Sequence, residues 1–228
     1  MLSNKKVLLL DMNSTFMFGE DRFDESEDFS IHYHKLGGKL QASEVNKIIR
    51  SAFDYIDVRY PDEQYRNNFP SVKTAMQETS TNSLSKKEME TLIDTFAFHE
   101  LGHIPNEYLV ALQNLHKRFT LAAVIDIWSP KKLWVELFEE LGIMSLFNVI
   151  SFSSDHGMVK PSPKPFELVM GQLEISSENA LMIGDSARRD LGGANTANID
   201  CVLVGGASSP KAICEYKNLL EFCDVIGV

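Results

Sequence analysis

The chain has 228 residues, 44% of them hydrophobic, which suffices to bury the core of one large or two small globular domains. Its 22 Lys and Arg stand against 32 Asp and Glu, a net charge of -10 that opposes non-specific attraction to nucleic acid or to an anionic membrane. The apolar run that follows Lys6 meets Asp11 too soon for a signal peptide, and no stretch approaches the roughly 18 apolar residues of a membrane span.

Val7 to Leu10 is a continuous apolar run ending at Asp11, the pattern of a short strand buried on both faces of a parallel sheet. From about Gly19 to His103 the chain turns charged and amphipathic. Helices are predicted there over Glu44 to Tyr55, Val72 to Glu78 and Lys86 to Phe98, the last opened by Ser85 with Glu88 three residues on. The acidic run Asp21 to Asp28 reads as a solvated loop, and Phe16, Phe18 and Phe23 read as packing where the helical segment joins the rest. After Ile104-Pro105, strands alternate with helices. Asn106 to Arg118 is a helix, Leu121 to Ile125 a strand, Pro130 to Leu141 a helix with Ser129 as its N-cap, and Asn148 to Phe152 a strand. Pro165 to Leu173 is a helix, followed by strands Ala180 to Ile183 and Cys201 to Val204. This predicts an α/β fold, a doubly wound parallel sheet, with a core built from residues 1–18 and 104–228 and a helical cap domain at 19–103. Cys201, Cys214 and Cys223 form no CxxC pair and their odd number argues against a disulfide framework, so a reducing cytoplasm is the expected location.

In an open parallel sheet, ligands bind beyond the carboxyl ends of the strands. The first strand delivers Asp11, Asn13, Ser14 and Thr15 to that edge, the second Asp126 and Ser129, the third leads to Lys160-Pro161, and the fourth gives Gly184-Asp185-Ser186 with Asp190 beyond. Carboxylates, hydroxyls and a lysine from separate strands suit phosphoryl transfer. A carboxylate can attack phosphorus, a hard divalent ion held by oxygen ligands can neutralise the transferred oxygens, and a lysine adds fixed positive charge.

These residues, in this order, resemble the haloacid dehalogenase superfamily, whose pattern runs strand-DxDGT, strand-Ser/Thr, Lys-Pro and strand-GDSxxxD. The resemblance spans residues 1–18 and about 104–206, and is strongest from Gly157 to Asp200. It implies Asp11 as nucleophile and Lys160 as the active-site lysine. It also implies Mg²⁺ bound by Asp11, the Asn13 carbonyl and Asp185, with Asp190 a second acid at that site, and a small phosphorylated metabolite as substrate beside Thr15 and Asp126. The helical segment corresponds to the family's cap.

The chain departs from the pattern at three places. The second acid of the first motif is Asn13, whose amide cannot perform the proton transfer that is typically worth about 10²- to 10⁴-fold in rate. Ser14 stands where the pattern has glycine. The hydroxyl of the second motif is absent, since Ile125 or Asp126 occupies that position depending on register. His99-Glu100-Leu101-Gly102-His103 matches HExxH, but a zinc-binding helix would have to run on through Gly102 towards Pro105. Three functions follow from this reading: hydrolysis of a phosphate monoester through an aspartyl phosphate, a phosphometabolite-binding or regulatory protein whose turnover has decayed, and carbon-halogen hydrolysis, against which Asp185 argues.

Overall fold

The computed structural model describes residues 4–80 and 83–228. The first three residues of the expected core segment, and residues 81 and 82 of the expected cap, lie outside the described residues. Six strands form one parallel sheet in the order β3-β2-β1-β4-β5-β6, with β1 Val7–Leu10, β2 Thr120–Ile125, β3 Phe147–Phe152, β4 Ala180–Gly184, β5 Asp200–Leu203 and β6 Cys214–Glu215.

The continuous apolar runs are explained by two cores, one on each face. Leu8 and Leu10 of β1, Leu121, Ala123 and Ile125 of β2, and Leu181 and Ile183 of β4 point into the first. Val7, Leu9, Ala122, Val124, Ala180 and Met182 point into the second. The period of two thus sends successive residues of these central strands into opposite apolar layers. Helices α5 (Asn106–His116), α6 (Lys132–Glu140) and α10 (Leu219–Ile226) cover the first face, with Leu112, Leu115, Trp134, Phe138 and Phe222 buried beneath them. After β3 and the single turn α7 (Ser153–His156), helices α8 (Lys164–Leu173) and α9 (Asp190–Thr196) cover the second through Phe166, Val169, Leu191 and Ala194.

Between β1 and α5 lies a helical insertion of α1 (Phe29–Lys35), α2 (Ala42–Asp57), α3 (Val72–Thr79) and α4 (Lys86–Glu100), with its own core of Phe23, Phe29, Tyr33, Ile49, Ile56, Met76, Leu92 and Phe96. α4 opens with a reciprocal capping box, Ser85 Oγ accepting from the Glu88 amide and the Glu88 carboxylate from the Ser85 amide. α1, which is not among the helices predicted from the sequence, begins directly after the acidic run Asp21 to Asp28. Asp28 closes the acidic run by accepting from the Ser30 amide, so the last acid of that run is a helix cap. The insertion leaves and rejoins the sheet through two adjacent segments, paired where Phe18 and His103 exchange backbone hydrogen bonds of 2.9 and 2.8 Å. Arg22 ties them by donating to the carbonyls of Gly19, Phe98 and Leu101. Gly102 sits where a Cβ would come within 2.7 Å of the Phe18 carbonyl oxygen, so the two segments can run this close only with glycine there.

The three early aromatics pack as expected. Phe16 stacks on Phe147, Phe18 meets Tyr108, and Phe23 stacks on Phe53 inside the insertion. The start of α6 differs from expectation: it begins at Lys132, and Ser129 is a buried loop residue whose amide donates to Glu100. No helix among the described residues is long and apolar enough to cross a membrane.

Candidate active site

The chain runs from β1 to β2 on one side and from β4 to β5 on the other, so the connections diverge between β1 and β4 and open a crevice at their carboxyl ends. Asp11 follows β1 directly, its amide still bonded to the Ile183 carbonyl at 2.9 Å, and Asp185 follows β4. A cavity of about 140 Å³ opens there. Of the expected residues Asp11, Asn13, Asp126, Lys160 and Asp185 line it; Glu20, Tyr60, Glu100, Trp128 and Arg189 complete much of its wall. Thr15 is buried and is not among the lining residues.

Lys160 is the centre of charge. Its Nζ lies 2.5 Å from Asp11 Oδ1 and 2.7 Å from Asp190 Oδ1, and all three side chains are almost completely buried. Burial opposes the lysine's charge, but Asp11, Asp190 and Asp126 more than offset it and hold the ammonium above its ordinary value. The second oxygen of Asp190 accepts from the Ser186 amide at 2.9 Å, so this carboxylate positions the lysine and the loop after β4 together. The close approach needs Gly184, where a Cβ would fall 2.4 Å from Asp190 Cγ.

The second strand delivers Asp126, which resolves the register left open by the sequence. β2 ends at Ile125, whose side chain is in the core, and Asp126 faces the cavity. Its Oδ2 accepts from the Tyr60 hydroxyl at 2.8 Å and from the Lys160 amide at 3.0 Å, while Oδ1 is buried without a protein partner. Burial raises the Asp126 carboxyl against the opposing pull of Lys160. Beyond it, Glu100 at the end of α4 accepts from the Trp128 and Ser129 amides at 2.5 and 2.9 Å, joining the insertion to the loop after β2. Burial, then Asp21, pushes its carboxyl up to about 8. α4 stops at Glu100, so His99 and His103 share no helical face, and the HExxH motif is a helix end and a hinge.

The donor set fits a hard divalent cation. Oxygens of Asp11, Asp185 and Asp190 lie within 4.8 Å of one another, and Asp185 Oδ1 and Asn13 Oδ1 are buried without a protein hydrogen-bond partner. Burial and the Asp190 charge raise Asp11 to about 8 in spite of Lys160, a mark of negative charge that the lysine alone does not neutralise. Both Asp190 oxygens are already engaged, so the free donors at this cluster are those of Asp11 and Asp185.

The structure therefore brings Asp11, Asn13, Asp126, Lys160, Asp185 and Asp190 to one place. Tyr60, Glu100, Trp128, Arg189 and Glu20 join them without having been singled out as site residues. Arg189 carries the clearest signal in retrospect: it falls four residues beyond Asp185 in the turn before α9, with its Nη2 4.0 Å from Asp185 Oδ1 and its guanidinium over the Tyr60 ring. Tyr60 and Trp128 come from turns whose sequence carries no periodic pattern.

The family model for haloacid dehalogenase-like hydrolases matches residues 43–204. The chain belongs to this family. Among curated proteins it is 28% identical over 201 residues to the pyrophosphatase PpaX of Halalkalibacterium halodurans, covering 80% of this chain and 91% of that one. It is 34% identical over 106 residues to the phosphoglycolate phosphatase of Yersinia pseudotuberculosis, covering 43% and 45% of the two chains. Among solved structures, the HAD-hydrolase YfnB of Bacillus subtilis bound to magnesium superposes with a TM-score of 0.62 at 17% identity, over 98% of this chain and 99% of that one. An HAD phosphatase of Thermococcus onnurineus superposes with a TM-score of 0.63 at 19% identity, over 98% of each chain. These likenesses confirm the α/β fold of a haloacid dehalogenase-like hydrolase.

Proposed function

We propose that this hydrolase is a Mg²⁺-dependent phosphatase of small phosphate monoesters, with Asp11 as the nucleophile that carries the phosphoryl group. The observation that carries the reading is the Lys160 ammonium held 2.5 Å from Asp11 and 2.7 Å from Asp190 at the divergence of the sheet, with Asp185 on the neighbouring strand end. Relatives named as phosphatases support it, as does a structural neighbour described as bound to magnesium.

Asp11, Asp185 and the Asn13 carbonyl would hold the cation, with Asp190 behind them. When bound, Mg²⁺ supplies positive charge against the oxygens around phosphorus. Lys160 opposes the upward push of burial on the Asp11 carboxyl, a push that a bound cation would also oppose, and neutralises part of the phosphoryl charge. Asp126 occupies the position where the family pattern has a hydroxyl, and Tyr60 and the Lys160 amide turn one of its oxygens away from the substrate.

The insertion acts as a cap. Its turn around residues 60–69 touches the core loop at 157–162, through Phe69 N–H to the Gly157 carbonyl at 2.7 Å, Val159 N–H to the Arg66 carbonyl at 2.9 Å and the Ser162 hydroxyl to Asn67 at 2.8 Å. Closed in this way it would limit bulk water at the cavity that Asp11 lines.

The absence of an acid at position 13 favours a second reading, a protein that binds a phosphorylated metabolite with little turnover. A panel of phosphate esters assayed with and without Mg²⁺, on wild type, Asp11→Asn and Asn13→Asp, separates the two. Turnover that needs both Mg²⁺ and Asp11 supports the phosphatase. Inert wild type with an active Asn13→Asp variant supports the binding protein.

A further inference from the structure

Two departures from the family pattern lie side by side in sequence, and the structure bonds the second of them to a carboxylate of the cavity wall. Asn13 has no proton to give. Ser14, in place of glycine, holds a left-handed backbone conformation at φ 55, which a side chain makes costly. Its hydroxyl donates to Glu20 Oε1 at 3.1 Å. The other oxygen of Glu20 is buried, has no protein partner, and the residue lines the same cavity as Asp11, Lys160 and Asp185.

We infer that Glu20 is the proton-transfer residue of this active site, held by Ser14 and taking over the role that Asn13 cannot perform. The inference rests on the phosphatase reading given above. The other carboxylates of the cavity wall are less free to act. Glu100 spends both oxygens on the Trp128 and Ser129 amides, and Asp126 is fixed beside the lysine through the Lys160 amide and Tyr60. Asp21 also lines the cavity, but it is exposed at the rim and accepts no hydrogen bond from the Asp11–Thr15 turn. Asp126 and Asp185 also keep an oxygen without a hydrogen-bond partner, but the first is fixed beside Lys160 and the second belongs to the Asp11–Asp185–Asp190 cluster, whereas Glu20 is bonded to the residue next to position 13 and has its second oxygen free.

The chemistry balances in two steps. As an Asp11 oxygen bonds to phosphorus and the ester P–O bond breaks, the proton on Glu20 passes to the departing oxygen and an alcohol leaves. A water oxygen then bonds to phosphorus while its proton passes to the Glu20 carboxylate. The aspartyl P–O bond breaks, so that phosphate, the Asp11 carboxylate and protonated Glu20 are restored. Proton donation matters most for a poor leaving group and little for one that departs as a stable anion.

The test compares phenyl phosphate with 2,4-dinitrophenyl phosphate, in Mg²⁺, on wild type, Glu20→Gln, Ser14→Ala, Asp11→Asn and the double variant Glu20→Gln, Asn13→Asp. Glu20→Gln is expected to lose about 100-fold or more in kcat/KM on phenyl phosphate. On 2,4-dinitrophenyl phosphate it should still release one equivalent of dinitrophenol per active site in a rapid burst, followed by slow steady turnover as the phosphoenzyme waits for a base. Ser14→Ala should show the same selectivity in weaker form, which keeps the test sound if Glu20→Gln folds poorly. The double variant should recover phenyl phosphate turnover.

Equal loss on both substrates with no burst, or no loss at all, overturns the role of Glu20. If Asp11→Asn is inert at the same time, the phosphatase reading stands without it. If wild type is inert on both esters, or Asp11→Asn is as active as wild type, the phosphatase reading fails and the role of Glu20 fails with it.

Discussion

Lys160 Nζ and Asp11 Oδ1 are 2.5 Å apart at the floor of the cavity, and both residues are almost fully buried. The lysine is held there from two directions, by Asp190 at its ammonium and by Asp126 at its amide. Replacing it with methionine keeps the volume and strands two buried carboxylates. Lys160→Met is therefore expected to lose ~3–5 kcal/mol of stability without Mg²⁺, the usual cost of breaking a buried pair. Turnover should fall with it. Thermal unfolding and steady-state assay of the purified variant check both.

A cation that binds the folded protein alone stabilises it by mass action, about 2.7 kcal/mol at a hundredfold excess over Kd. Mg²⁺ should accordingly raise the thermal midpoint of wild type. Asp185→Asn, which removes a charge beside the unpartnered Asp185 Oδ1, should abolish most of that rise while leaving the midpoint in chelator unchanged or higher. Titration of the midpoint with MgCl₂ reads the difference.

Asp126, which lines the cavity, has a buried oxygen without a protein partner, and on the proposed reading its charge opposes a phosphate bound there. Asp126→Asn retains an oxygen for Tyr60 and the Lys160 amide and removes the negative charge. KM for a phosphate ester should fall, by about tenfold if the relieved repulsion is near 1.4 kcal/mol. Tyr60→Phe, which leaves Asp126 charged and short of a donor, should move KM the other way.

Glu100 makes stability depend on pH. Its folded carboxyl is pushed up to about 8, against an ordinary value of 4.5, so between these limits the folded state binds more protons than the unfolded chain. Its contribution is fully present below pH 4.5 and is lost as pH rises through about 8. Wild type should therefore lose thermal stability relative to Glu100→Gln as pH rises across this window. The comparison cancels the other titrating groups, and parallel curves for the two proteins would contradict it.

The sheet and its motifs were legible because a buried parallel strand leaves few residue choices. Val7 to Leu10 and Ala180 to Ile183 are apolar throughout since both their faces are covered, and the acids that end them mark where the cover stops. The same logic brought Asp11 and Asp185 to one edge, whereas Lys160, eight residues beyond β3, was picked out by the Lys-Pro step of the family pattern. What escaped was set by contacts distant in sequence. Glu100 looked like the centre of a histidine motif and proves to be a helix end bonded to Trp128 and Ser129, residues 28 and 29 positions away. Ser129 looked like a cap because a proline follows it, yet its amide is engaged by that glutamate and the helix begins later. Tyr60 reaches Asp126 across 66 residues, a pairing to which local periodicity is blind.

Phe18 and His103 meet as a single hydrogen-bonded pair at the point where the helical insertion departs and returns. The sheet therefore sees a gap no wider than one ladder rung, whatever length of chain is spliced between them. Strand order is thus indifferent to the length of that spliced piece. The chemistry is not, since Glu20, Tyr60 and Glu100 all lie between these two residues and line the cavity that holds Asp11 and Lys160, so a change of insertion changes the site with it.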